Sequence, residues 1–233
     1  MLFKFKEKPI VLELFAPVGE LITYFPIVKS KEFYPSWFQA LPKPSEAHTV
    51  RNCPGLQDLL SATLTIPAWG DFNVTINPSG KANVETPVNF YNLQPTSQHF
   101  VHKEVPGTWQ GFTNIKFHNP WYIKCSDSID WILADPTWHR TDPLQFSTVT
   151  GATEFKIQNF CHINTLWKVT QQPYTVKIKA GDAMAHLVPL TERKIELKFE
   201  VMTEEIYKRR FQPWQFTFEY PYQKVRAMLR KKK

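Results

Sequence analysis

Hydrophobic and polar positions along this chain alternate more often than they recur at helical spacing. The cleanest alternation is YTVKIKA, where Tyr174, Val176 and Ile178 fall on one face and the intervening residues on the other. Phe72, Val74 and Ile76 alternate in the same way with Asn73, Thr75 and Asn77, and NPSG closes that run. Further strands are expected at KPIVLELFAP, ELITYFPIVK, LTIP, NIKFHNPWYIKC, IDWILADP, FKIQNF, INTLWKV, AMAHLVPL and IELKFEV, with weak signals at VNFYNL and HFVHKEV. Helical signals are few. In NCPGLQDLLSA, Pro54 suits the first helical position and Leu56, Leu59 and Leu60 share one face, which predicts a short helix over 54–61. TEEIYKRRF places acids first and bases last, as a helix dipole favours, and YPYQKVRAMLRKKK extends the helical reading to the C-terminal residues. In FYPSWFQALPKP three prolines forbid regular pairing while Tyr34, Trp37, Phe38 and Leu41 call for burial. This predicts an ordered loop or short helix held to the body by aromatic anchors.

The expected fold is therefore all-β with minor helices, a distorted β-sandwich or, as the resemblance carried by KIKAGDAMAHLVPL implies, a β-clip. A single β-rich domain covers 1–203 and a basic helical extension covers 204–233. Nineteen prolines against eight glycines among 233 residues fit many short strands joined by Pro-punctuated loops. A hydrophobic share of 42% is enough to offset chain entropy, which argues against disorder.

Charge adds a second point. The formal net charge is +7, yet the last ten residues, KVRAMLRKKK, hold six Lys or Arg and no acid. The body is nearly neutral and the basicity is local. Lys224, Arg226, Arg230, Lys231, Lys232 and Lys233 are the candidate binding residues of this tail, suited to phosphate or an acidic protein surface. The bland reading of the same tail is a solvated terminus. Three cysteines, Cys53, Cys125 and Cys161, form no spaced motif and fit a reducing compartment. The opening MLFKFKEKPIVLELFAP reads neither as a secretory leader nor as a membrane span.

The chain holds few motifs that carry chemistry. Seven histidines occur without HxH, HExxH or a CxxC partner, and Cys161 and His162, adjacent in an extended segment, point to opposite faces. There is no GxSxG, P-loop or GxGxxG. No cofactor, no metal and no catalytic residue is assigned. Acids recur in DSIDWILADPTWHRTD, at Asp127, Asp130, Asp135 and Asp142, where a paired-acid site competes with ordinary turn capping beside Ser and Pro. Phe117, Trp121, Tyr122 and Lys124 offer a weak stacking platform for single-stranded nucleic acid, but Ile115 and Ile123 among them point to core packing.

Two resemblances sharpen these expectations. KIKAGDAMAHLVPL, through Ile178, Gly181, Asp182, Ala185, Leu187 and Val188, resembles the last core motif of the dUTPase-like β-clip proteins. In the upstream segment TVTGATEFKIQNF, Gly151 matches, the general-base position falls near Thr153 or Glu154, and Phe155 stands where a Tyr would stack on a sugar. The Arg-Ser-Gly phosphate motif of those enzymes does not occur in the chain. A second set of short pieces spans roughly residues 33 to 200: Pro35-x-Trp37, Leu41-Pro42-Lys43, Cys53-Pro54, Trp69-x-Asp71, Phe117-x-Asn119-Pro120-Trp121-Tyr122-Ile123-Lys124, Asp135-Pro136, Gly181-Asp182 and Val188-Pro189-Leu190. In that order they resemble a family of uncharacterised bacterial and tailed-phage proteins, including those of marine cyanophages.

Together these imply a non-enzymatic phage structural or assembly protein, in the virion or host cytoplasm. It would be a homo-oligomer, a trimer by analogy with β-clip relatives, contacting other virion proteins and, through its tail, nucleic acid, with no membrane association. An alternative is a dUTPase-like nucleotide-binding protein or hydrolase using Asp127, Asp130, Glu154 and Asp182. A third reading is a single-strand nucleic-acid binder that needs Trp121 or Tyr122.

Overall fold

The structure is a computed structural model that describes residues 7–42, 48–87, 95–99, 111–139 and 146–211. It is all-β, with four sheets around one main apolar core. The tail residues Lys224, Arg226, Arg230, Lys231, Lys232 and Lys233, together with Asp142, lie outside the described residues. So do the VNFYNL segment and most of HFVHKEV.

The first strand, β1 (Ile10–Ala16), buries Ile10, Leu12 and Leu14 on one face. Each such burial stabilises by about 1.5–3 kcal/mol. ELITYFPIVK departs from its expectation. Gly19–Tyr24 is a helical turn, α1, with Glu20 in its first turn, and only Val28–Lys29 (β2) is extended. The contiguous apolar run has no period-2 pattern to hold it as a strand, and Leu21 is the residue the helix buries. The expected aromatic clamp is α2 (Ser36–Gln39), where Tyr34 stacks on Phe38 with ring centroids 4.4 Å apart. The expected short helix is α3 (Pro54–Ala62), with Pro54 in the first turn. Phe38, Leu56 and Leu60 of α2 and α3 form a second, smaller core.

The remaining strands are β3 (Leu64–Pro67), β4 (Phe72–Ile76), β5 (Ala82–Glu85), β6 (Thr96–His99), β7 (Phe112–Phe117), β8 (Tyr122–Cys125), β9 (Trp131–Ala134), β10 (Phe146–Thr148), β11 (Gly151–Thr153), β12 (Ile163–Lys168), β13 (Tyr174–Ile178), β14 (Ala183–Pro189) and β15 (Ile195–Val201). FKIQNF is a turn and an isolated bridge rather than a strand, because the Glu154 carbonyl accepts the amides of Ile157 and Gln158. The sheets run β15-β1-β8, β10-β12-β7-β6, β11-β9-β14-β3-β2 and β13-β4-β5. Most pairs are antiparallel, but β1 and β15 are parallel, with Ile10 opposite Ile195 and Ala16 opposite Val201. Trp121, Trp131 and Trp167 are fully buried between the sheets. No helix among the described residues is long and apolar enough to cross a membrane.

The Gly-Asp stretch does not close a hairpin. β13 pairs with β4 and β14 pairs with β3, so the two strands flanking Gly181 belong to different sheets. The same is true of β3 and β4. An antiparallel two-stranded ribbon, β3–β4 against β14–β13, therefore bends sharply from one sheet into another, and residues 68–71 and 179–182 form the corner.

Finally α4 (Glu204–Arg210) opens the C-terminal extension. Thr203 caps it by accepting the Ile206 amide, and Lys208, Arg209 and Arg210 occupy its last turn. It is not a free arm. Phe211 is buried edge-on against Phe15 and Tyr122, and Arg210 lies over the Phe15 ring while bonding Glu13 at 2.9 Å.

Candidate functional site

The corner contains two of the acids that the sequence brings to notice. Asp182 Oδ2 accepts the Lys179 amide at 2.7 Å, closing its own turn, and the Asp182 carbonyl accepts the Ala68 amide. Asp71 Oδ1 accepts the Ala180 amide at 2.8 Å and Oδ2 pairs with Lys177 at 3.1 Å. The Ala180 amide is the main reason that the Asp71 carboxyl sits below its ordinary pKa, with Lys177 adding to it. Gly181 has φ +90°, a conformation glycine adopts without Cβ strain. Both carboxylates are thus occupied in shaping the bend.

Asp127, Asp130 and Glu154 gather near the opposite end of β14, around the loop between β8 and β9. Asp127 bonds Arg193 at 2.7 Å, and that ion pair chiefly holds its carboxyl below the usual range. Arg193 also donates twice to the Lys8 carbonyl, tying the entry to β1 to this loop. Glu154 is buried and accepts the Ser128 hydroxyl. The Asp130 carbonyl accepts the Leu190 amide, just past β14, whereas Asp182 immediately precedes that seven-residue strand. At about 3.3 Å per residue the two ends lie about 20 Å apart. The four acids therefore do not form one site. Phe155, in the sugar-stacking position of the dUTPase resemblance, is fully buried against Trp131 and offers no free ring face.

Two histidine groups leave no local signal in the sequence. The first is a buried polar node under α2 and α3. Ser30 Oγ accepts the hydroxyls of Thr63 at 2.8 Å and Thr65 at 2.9 Å and lies 3.0 Å from His186 Nδ1. With both acceptor positions filled, its proton goes to His186 Nδ1. His139 Nε2 donates to the Ser30 carbonyl at 3.1 Å, and its ring meets His186 edge-on at 4.7 Å. Burial pushes the His139 pKa down. A Ser–His contact of this length suits nucleophile activation, but Ser30 is 0% exposed and no substrate reaches it. What the node does is fasten the small core to β3 and β14. Its members lie as far as 156 residues apart in sequence, which is why no local pattern revealed them.

The second group is a cross-strand pair. The register of β7 and β12 continues past Phe117 and Ile163 to bring His118 and His162 together, with ring centroids 4.9 Å apart. Ser97 bonds His118 at 3.0 Å and Phe160 stacks on His162. Burial above all, then His118 and Lys116, push the His162 pKa to about 4. Among the described residues no three His, Cys, Asp or Glu side chains gather as a metal site.

Of the stacking candidates, Phe117 and Trp121 are core residues at 0% exposure, and Tyr122 is half-buried under α4 through Tyr207 and Phe211. Comparison of the chain with family models, curated proteins and solved structures gave no match.

Proposed function

We propose that this protein works by association rather than by chemistry: an oligomeric β building block of a phage particle, or of its assembly, that docks through its basic C-terminal tail. The observation that carries the reading is the anchoring of α4. Phe211 and Arg210 fix the helix to β1 and β8, so the segment leading to Lys224, Arg226 and Arg230 to Lys233 starts from a point rigidly joined to the body. A tail attached in this way transmits a hold on a phosphate-rich or acidic surface to the body. The engagement of Asp71, Asp127, Glu154 and Asp182 in local structure supports the same reading. So does the resemblance of residues 33 to 200 to tailed-phage proteins.

The test compares the full chain with one lacking residues 224–233. Co-sedimentation with particles, or with DNA at rising salt, should be lost on deletion while the thermal unfolding midpoint stays unchanged. Undiminished association without the tail refutes the docking role. Turnover of dUTP or dCTP with Mg²⁺, abolished by Glu154→Gln, refutes the non-catalytic reading.

A further inference from the structure

β15 is a seven-residue strand at the edge of its sheet, and among the described residues no strand pairs with its outer side. The Ile10 amide bonds the Lys194 carbonyl, and the Met202 amide bonds the Ala16 carbonyl. In a parallel ladder, alternate residues turn both backbone groups to the same neighbour. Lys194, Glu196, Lys198, Glu200 and Met202 therefore bond towards β1, and Ile195, Leu197, Phe199 and Val201 present their N–H and C=O groups outward. Phe199 and Val201 are 37% and 41% exposed. α4 does not cover this edge, because its contacts with Glu13, Phe15 and Tyr122 turn it back over β1 and β8. An open strand of this kind is a template for another strand.

The sequence KIELKFE, residues 194–200, selects the occupant. Its charges are antisymmetric about Leu197. We infer that β15 pairs antiparallel with β15 of a second copy of this chain, across a two-fold axis through Leu197. In that register the outward N–H and C=O of Leu197 meet those of its symmetry mate, and Ile195 lies opposite Phe199. Glu196 lies opposite Lys198 and Lys194 opposite Glu200, each twice. All the hydrogen bonds then fall on residues whose groups point outward. Neighbouring registers fit less well. An axis through Lys198 sets Lys198 on itself and Glu196 on Glu200, one through Glu196 sets like on like again, and one through Phe199 keeps only the Lys198–Glu200 pairs. Opposite charges across a strand pair are favourable and like charges are not, so the Leu197 register wins. The exposed Lys194–Glu196 contact within one strand is replaced by contacts across the axis. The product is a six-stranded sheet, β8-β1-β15 continued by its mate, with an isologous interface.

This inference rests on the building-block reading and supplies one of its contacts. Sedimentation velocity across a concentration series should show a monomer–dimer equilibrium that weakens with salt. Lys198→Glu and Glu196→Lys, each alone, should weaken the dimer at least tenfold, since each sets like charges opposite. The double reversal should restore it, and an equimolar mixture of the two single variants should give a heterodimer. Hydrogen exchange should protect the amides of 195, 197 and 199 only at dimer concentrations. Oligomers indifferent to all these substitutions overturn the β15 contact while leaving the building-block reading standing. A chain that stays monomeric and also fails to join particles removes both. Concentration-independent protection of those amides, meaning that the edge is covered within one chain, also overturns the inference.

Discussion

Asp71 Oδ1 accepts the Ala180 amide at 2.8 Å, joining the loop after β3 to the turn after β13. These two loops form the corner where a ribbon passes from one sheet to another, so this bond holds both sides of the bend. Asp71→Ala should lower the thermal midpoint more than Lys177→Ala, because the Lys177 partner is a half-exposed ion pair. The carboxyl pKa is depressed in the folded chain. Its contribution is therefore present above the ordinary value of 3.8 and lost as pH falls through the lowered one. Chemical denaturation at a series of pH values should show the gap between native chain and Asp71→Ala narrowing below that point. A gap that widens on acidification contradicts the assignment.

The backbone of the same corner gives a second test. Gly181 sits at φ +90°, and an added Cβ would meet only the Phe25 ring at ordinary contact distance. The cost of Gly181→Ala is then conformational, about 1–2 kcal/mol. Gly55, inside α3 with open space around it, is the control. Gly55→Ala should stabilise by about 0.4–1 kcal/mol. Equal effects at the two positions would show that conformation is not the cause.

His162 predicts an acid limb. Its pKa is about 4 in the folded chain against 6.5 normally. The unfolded chain takes up a proton that the folded chain refuses, so the His162 contribution to stability is constant above pH 6.5 and falls between 6.5 and about 4. The loss approaches roughly 3 kcal/mol over that window. Urea unfolding of His162→Gln should show a shallower acid limb by about one proton. An unchanged slope would place the effect on other groups.

Thiol chemistry separates the three cysteines. Cys53 is exposed, whereas Cys125 and Cys161 are buried, and burial pushes the Cys161 pKa up to about 12. The thiolate is the reactive species. A disulfide reagent at neutral pH should titrate one thiol in the native chain, lost in Cys53→Ser, and three after denaturation. Rapid reaction of a second thiol in the native state would contradict this burial.

How much of this was legible depends on the range of the interactions. The strand alternation of Phe72–Ile76 and Tyr174–Ile178 reflects one buried face each, and it survives intact in β4 and β13. The α3 start at Pro54 and the acid-to-base order of α4 are local signals too, and both helices form there. α1 departs from the strand expectation because an unbroken apolar run fits a buried strand and a buried helical turn alike. The Gly181-Asp182 motif stands out in the sequence, but the role of its turn does not. A turn states that the chain reverses, while the partners that place it at a corner come from residues 64–76. The Ser30 node and the His118–His162 pair depend on registers between distant strands, and a residue-by-residue pattern contains no trace of those.

The parallel ladder between β1 and β15 also bears on biosynthesis. Ile10 is synthesised well before Ile195, yet they are partners. At roughly 5–20 residues per second, ribosomal elongation leaves β1 waiting on the order of ten seconds or more for its neighbour. During that interval the β15 side of β1 has no strand partner, and β8 can pair only with its other edge. A nascent chain stalled before residue 195 should consequently be a favoured client of a chaperone, and release from it should follow the synthesis of β15.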